Sequence, residues 1–174
     1  MIKNEIVITG GLGFVGRNLV NFLDRKLKNY RFIVYDKSKK NLKLLNLKSL
    51  NNKIDIIIAN TLDIEKKLRK YKRISTIFHL GEFSRIVKSF HYTNECFTSN
   101  TLGTYKVLDF CRQNKIKFIY SASSSKFGNN GKDEHLSPYS WTKSKNIELI
   151  KNFNRWYGLN YVIVYYYNVY GCAV

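Results

Sequence analysis

The sequence predicts an α/β fold in which a parallel sheet is wound on both faces by helices. Three observations lead there. Short apolar runs alternate with helical patterns from end to end, with no repeat and no linker between them. Most of these runs are continuous, as in Ile54-Asp55-Ile56-Ile57-Ile58-Ala59 and Lys117-Phe118-Ile119-Tyr120, which is the pattern of strands buried on both faces by crossover helices. The order strand, helix, strand, helix then implies parallel, doubly wound pairing.

Strands are expected near 4–9, 31–36, 54–59, 75–80, 116–122 and 160–166, and helices near 14–28, 40–50, 64–72, 95–114 and 139–157. A long segment, 82–115, separates the fourth and fifth strands. The first strand runs through Ile6-Val7-Ile8-Thr9 into Gly10-Gly11-Leu12-Gly13-Phe14-Val15-Gly16, followed by the helical pattern from Asn18 to Leu23. Gly10 permits the tight turn off the strand, Gly13 lets the backbone approach a pyrophosphate with no Cβ in the way, and Gly16 lets the helix pack close on the sheet. The phosphates would sit over the first helical N–H groups, where unpaired donors and the positive end of the helix dipole meet the anion. The second strand, Arg31 to Tyr35, ends in Asp36, the acidic residue that a dinucleotide cradle needs about 20 positions after its glycines. A Rossmann-type, NAD(P)-binding sheet follows. Asp36 would accept from an adenosine ribose 2′-OH and repel a 2′-phosphate, favouring NAD over NADP; Lys37 and Lys39 weaken that preference without reversing it.

The fourth strand, Ile74 to Phe78, closes on His79, which reads as a hydrogen-bonded interior residue. The chemistry sits after the fifth strand, in Ser121-Ala122-Ser123-Ser124-Ser125-Lys126-Phe127-Gly128 and Pro138-Tyr139-Ser140-Trp141-Thr142-Lys143. Pro138 suits the first turn of a helix, so Tyr139 and Lys143, four apart, project from one face. A phenol with an ordinary pKa of ~10 becomes a usable base near neutral pH only if a neighbouring cation stabilises its phenolate, and an ammonium one turn away does that. Ser123 is the expected hydroxyl partner on the substrate oxygen, with Ser124 as its helper.

Composition bounds the alternatives. A chain of 174 residues with 44% hydrophobic content fits one domain with a sizeable core and excludes disorder. No run approaches the ~18 apolar residues of a membrane span, and the N-terminus enters the first strand almost at once, so a soluble, cytoplasmic protein is expected. Cys96, Cys111 and Cys172 are too few and too scattered for a disulfide framework, and none stands at metal-ligand spacing with His79, His91 or His135; reduced thiols and no metal are expected. The net charge of +18, from 30 Lys and Arg against 12 Asp and Glu, is the balance of a nucleic-acid binder. The lysines are nevertheless spread along the chain, and its wealth of Asn, Ile and Tyr with little Ala or Pro matches an A- and T-rich coding sequence. No nucleic-acid partner is expected; the positive field would instead attract a doubly anionic nucleotide-sugar.

The motifs together resemble the extended short-chain dehydrogenase/reductases of the NAD-dependent epimerase/dehydratase family, enzymes acting on nucleotide-sugars. The resemblance rests on Thr9 to Gly16, Asp63-Ile64, His79-Leu80-Gly81, Asn100-Thr101-Leu102-Gly103-Thr104, Ser121 to Gly128, Tyr139 to Lys143 and Tyr167-Asn168-Val169-Tyr170-Gly171, in the family's order. It implies NAD as cofactor, held by Gly10, Gly13, Phe14, Val15, Gly16 and Asp36. It also implies adenine contacts from Asp63 and Ile64, backbone lining from Leu80 and Gly81, support of the active-site helix by Asn100, and Ser123, Tyr139 and Lys143 as catalytic residues, Lys143 also holding the nicotinamide ribose. Two duller readings stay open: Asp63 as a helix cap and Asn100 as a solvent-facing polar residue. Tyr165-Tyr166-Tyr167 reads as partly core strand, with Asn168 the better substrate-side candidate.

Departures from the family pattern matter. Glu82 stands after Gly81 where a small residue is usual, followed by Phe83-Ser84-Arg85, which suggests a charged pair on the sugar side of the pocket. Phe127 replaces a common tyrosine. Ser123-Ser124-Ser125 stands where the 4,6-dehydratases carry Thr-Asp-Glu, which argues against dehydration. The chain stops at Cys172-Ala173-Val174, where family members usually continue into a substrate domain, so residues 1–174 are expected to be the NAD-binding domain alone, either as a shortened chain or with a partner supplying the rest. The resulting expectation is a nucleotide-sugar 4-epimerase; a reductase or decarboxylase of the same family, an inactive NAD-binding remnant and, remotely, a basic nucleic-acid binder are the alternatives, and a homodimer is an open assembly.

Overall fold

The computed structural model describes residues 4–171; Cys172 therefore lies outside the described residues. Six parallel strands form one sheet: β1 (Asn4–Thr9), β2 (Tyr30–Asp36), β3 (Lys53–Ile58), β4 (Ile74–His79), β5 (Lys117–Ser123) and β6 (Tyr161–Tyr166). Their order across the sheet is β3-β2-β1-β4-β5-β6. The chain thus grows outward from β1 on one side, then crosses back to lay β4 on the other. Thr9 is in register with Tyr35 of β2 and with His79 of β4. The cleft between the diverging connections after β1 and β4 is the switch point at which such sheets bind ligands.

Successive side chains of a strand point to opposite faces, and the core divides accordingly. Ile6 and Ile8 pack with Phe32, Val34, Leu12, Val20 and Leu45 on the face covered by α1 (Phe14–Lys26). Val7 packs on the other face with Ile33, Tyr35, Ile77, Phe118 and Tyr120. That layer is closed by α2 (Ile64–Leu68), α5 (Thr104–Asn114) and α6 (Pro138–Tyr157), through Leu68, Leu108, Cys111, Ile147, Ile150 and Phe153. Cys96 and Cys111 are free and buried, and burial raises both thiol pKa values. Among the described residues no helix is long and apolar enough to cross a membrane.

All six strands fall where the apolar runs predict. Three helical expectations need correction. The helix expected over 40–50 is two short 3₁₀ turns, Leu42–Leu44 and Leu47–Ser49. Asn46 breaks the run with non-helical backbone, and only Leu45 is fully buried, with Leu42 and Leu50 partly buried against the core; asparagine's side chain competes for backbone partners. The helix expected over 64–72 ends at Leu68, because the chain turns back so that Tyr71 is buried and its hydroxyl donates to Asp55 (3.0 Å). The segment after β4 holds an unanticipated helix, α3 (Ile86–His91), before α4 (Thr93–Phe97). Between α4 and α5 the helix is not regular: Thr98–Gly103 is a π-helical turn, the local irregularity that often marks a functional site.

Candidate active site

The glycine loop is shaped by contact with the end of β4. Gly10 has φ +65°, and a Cβ there would lie 2.8 Å from the Leu80 and Gly81 backbone; one on Gly81 would lie 2.8 Å from Gly10 N. The two strand tips meet main chain to main chain. A Cβ on Gly16 would lie 2.3 Å from Gly10 O, so α1 can start this close to the sheet only with glycine there. At Gly13, the N-cap of α1, an added Cβ would meet only Gly10 O, at 3.1 Å, leaving its outer side free for a ligand.

Asp36, at the tip of β2, accepts from the backbone N–H groups of Leu12 and Ser38, both at 3.1 Å. Beside it lies a cleft of about 430 Å³ lined by Gly10, Gly13, Asp36, Asn60, Leu80 and Gly81, among others. Of the predicted cofactor residues, the structure brings Gly10, Gly13, Asp36, Leu80 and Gly81 to this cleft. Phe14 and Val15 open α1, and Gly16 is buried beneath the loop. Past β3 the wall is made by Ala59, Asn60 and Thr61. Asp63 is exposed just beyond and makes no side-chain cap to α2, and Ile64 is in the core. The capping residue there is Asn60, whose side chain accepts from Leu62 N at 3.0 Å.

The catalytic candidates gather at the carboxyl end of β5. Ser123 is the last residue of the strand, and its Oγ accepts from Ser125 N and from Ser125 Oγ (3.2 and 3.0 Å). Ser137 caps α6 by accepting from Ser140 N (3.0 Å), with Pro138 in the first turn. Tyr139 is half-buried, its N–H donating to Ser89 Oγ (3.3 Å). Lys143, one turn on, is buried; its ammonium donates to Ser121 O (2.6 Å) and to the carboxylate of Glu82, and lies 5.0 Å from the centre of the Tyr120 ring.

Asn100 is buried in the π-turn. It accepts from Phe83 N (2.6 Å) and donates to Phe83 O (3.2 Å) and Thr142 Oγ1 (3.1 Å), tying the loop after β4 to α6 next to Lys143. The solvent-facing alternative is thereby excluded. His79 is an interior residue: Nδ1 lies 2.8 Å from Thr9 Oγ1 and Nε2 2.9 Å from Thr104 Oγ1. Burial pushes its pKa down to about 4, so it is neutral. Since Thr104 donates to Glu82 (2.7 Å), its oxygen accepts from Nε2–H, and Thr9 donates to Nδ1. Thr9 Oγ1 in turn accepts from the N–H groups of Leu80 and Gly81 (3.2 and 3.1 Å). One chain of hydrogen bonds thus runs from the glycine turn to Lys143.

The charged pair expected on the sugar side is elsewhere. Arg85 is exposed, and Glu82 points inward to Lys143 with only 1% of its side chain exposed. The anchors that motif reading misses are Tyr120, Thr142 and Asn146. Asn146 donates to Glu82 (2.9 Å), Tyr120 OH (3.1 Å) and Asn100 O (2.7 Å). Its place three residues after Lys143, on the same helix face, was the available signal.

Residues 6–173 match the model of the NAD dependent epimerase/dehydratase family. The dTDP-D-glucose 4,6-dehydratase of Dictyostelium discoideum is 30% identical over 193 residues, covering 96% of this chain and 44% of that protein. A Methanocaldococcus jannaschii protein provisionally named UDP-glucose 4-epimerase is 32% identical over 178 residues, covering 95% and 56% respectively. Among solved structures, a UDP-N-acetylglucosamine 4-epimerase from Methanobrevibacter ruminantium in complex with UDP-N-acetylmuramic acid superposes with a TM-score of 0.82 at 28% identity, over 99% of this chain and 57% of that one. This chain spans about half the length of the curated relatives it matches. With the glycine turn, Asp36 and the tyrosine–lysine helix all inside the matched span, the chain belongs to the NAD dependent epimerase/dehydratase family.

Proposed function

We propose that this chain binds NAD in the cleft at the β1/β4 switch point and contributes the acid–base residues of a nucleotide-sugar 4-epimerase, with residues 1–174 forming its NAD-binding domain. One observation carries the reading: the open side of Gly13 and the carboxylate of Asp36 share one cleft, and the Tyr139–Lys143 helix starts at the neighbouring strand end. The residues present fit the cofactor. Gly13 offers a diphosphate bare main chain at the N-terminus of a 13-residue helix, and Asp36 offers an acceptor to a ribose hydroxyl. Lys37 is paired with Glu95, which weakens any pull it exerts on a 2′-phosphate.

Bound there, nicotinamide would accept a hydride from a sugar carbon and return it. The chain's residues handle the proton. Tyr139 takes it from the sugar hydroxyl and gives it back, Ser123 hydrogen-bonds the same oxygen, and Lys143 holds the phenol's surroundings and the ribose through its remaining donor. Ser124 and Ser125 offer no carboxylate for an elimination, which favours epimerisation over the dehydration named for the Dictyostelium relative.

Calorimetry with NAD and NADP tests the cofactor, and NMR of UDP-glucose and UDP-N-acetylglucosamine incubated with protein and NAD tests the reaction. The 4-epimer is expected. A 4-keto-6-deoxy product would overturn the epimerase reading, and no heat with either dinucleotide at millimolar concentration would overturn the cofactor reading.

A further inference from the structure

The residue after Gly81 is a carboxylate held by four side chains from three elements. Glu82 Oε1 accepts from Thr104 Oγ1 of α5 (2.7 Å), Tyr120 OH of β5 (3.1 Å) and Asn146 Nδ2 of α6 (2.9 Å), while Oε2 holds the ammonium of Lys143. The side chains of Glu82 and Lys143 are 1% and 7% exposed. An ion pair this buried persists only if both charges are fully partnered, because losing either leaves the other uncompensated in low dielectric. Here the carboxylate has a donor from every side, and two of the three ammonium donors are taken by Glu82 and Ser121 O.

This changes what Lys143 does to its neighbour. An ammonium one turn along the helix stabilises a phenolate by its uncompensated field, and a carboxylate in contact with it reduces that field to a dipole's. We propose that Glu82 is a positioning residue that pins the Lys143 ammonium at the end of β5 and balances its charge, so that the Tyr139 phenol faces a neutral pair. The proposal rests on the acid–base role given to Tyr139 above.

The other titratable groups around the pair add no charge near neutral pH. His79 of β4 is neutral, burial raises Cys96 of α4 and Tyr120 of β5, and burial outweighs the pull of Lys143 to raise Tyr166 of β6. Among the described residues the cluster is therefore a single cation and a single anion.

The test is a pH titration of the full chain carrying ¹³Cζ-tyrosine, followed by NMR without cofactor, with the Tyr139 signal assigned from Tyr139→Phe. Glu82→Gln is expected to lower the Tyr139 midpoint by about one pH unit, roughly a tenfold gain in phenolate at a given pH below it. An unchanged or raised midpoint would overturn the proposal. Should Glu82→Gln fail to fold, the Glu82→Gln/Lys143→Met double variant removes both charges and keeps an apolar filler. Its midpoint is expected to match that of the unsubstituted chain. A midpoint about one unit or more higher would show that the lysine's field does reach the phenol, and would overturn the proposal. NAD calorimetry on the unsubstituted chain separates the two readings: absent heat with the expected Tyr139 shifts defeats the cofactor assignment and leaves the charge balance standing.

Discussion

The Asp36 carboxylate accepts a hydrogen bond from the Leu12 N–H at 3.1 Å, joining the tip of β2 to the loop that follows β1. The acid therefore sits within the glycine turn's own hydrogen bonding, at the mouth of the cleft.

Asp36→Asn keeps the size of the side chain and removes its charge. NAD affinity is expected to fall about tenfold, since a hydrogen bond to a charged group contributes about 1.5 kcal/mol or more. NADP affinity should fall less or rise, because the repulsion of a 2′-phosphate is gone. Calorimetry with both dinucleotides checks this, and an unchanged NAD:NADP ratio would remove Asp36 from the site.

Gly10 and Gly158 both have left-handed backbone, with φ +65° and +67°, but only Gly10 is crowded; a Cβ on Gly158 meets nothing within 4 Å. Gly158→Ala should cost about 1 kcal/mol, the backbone term alone. Gly10→Ala adds a clash with the Leu80–Gly81 main chain and should cost about 3 kcal/mol or more. Urea unfolding of the two variants measures the difference.

His79 is buried and its pKa is lowered from 6.5 to about 4 by desolvation. The unfolded chain takes up this proton as the pH falls through 6.5, while the folded chain resists until about 4. Stability is therefore present in full above pH 6.5 and is lost on acidification between those limits, by about 1.4 kcal/mol per unit and about 3 kcal/mol in all. Urea unfolding at pH 7, 5.5 and 4.5 should show this slope, and His79→Asn should lack that part of it.

Tyr139→Phe removes the group proposed to transfer the proton and leaves the cleft lining intact. Epimerisation is expected to drop by about 10²–10⁴-fold, with NAD affinity unchanged. A variant that keeps its turnover would show that another group moves the proton.

The fold was legible because its signals are local. Continuous apolar runs mark strands whichever neighbours they acquire, and the glycines of the first turn are demanded by backbone geometry within a few residues. The segment 40–50 was misread for the converse reason. Its leucines have helical spacing, but asparagines interrupt them and only Leu45 is fully buried, Leu42 and Leu50 being partly so, which leaves too little packing to hold a helix together there.

The sequence alone determined the parallel α/β sheet, the glycine turn with Asp36 at the next strand tip, and the placing of Tyr139 and Lys143 one turn apart on one helix, all of which follow from spacing and residue chemistry. Only the tertiary structure decided what Lys143 touches. Glu82 stands 61 positions away and reaches it because strand order sets the end of β4 beside β5 and under α6. The same arrangement made Asn100 an interior tie. Partners of buried polar groups are chosen by which elements meet, and that choice depends on the whole sheet's topology and on the cost of leaving any such group unpaired.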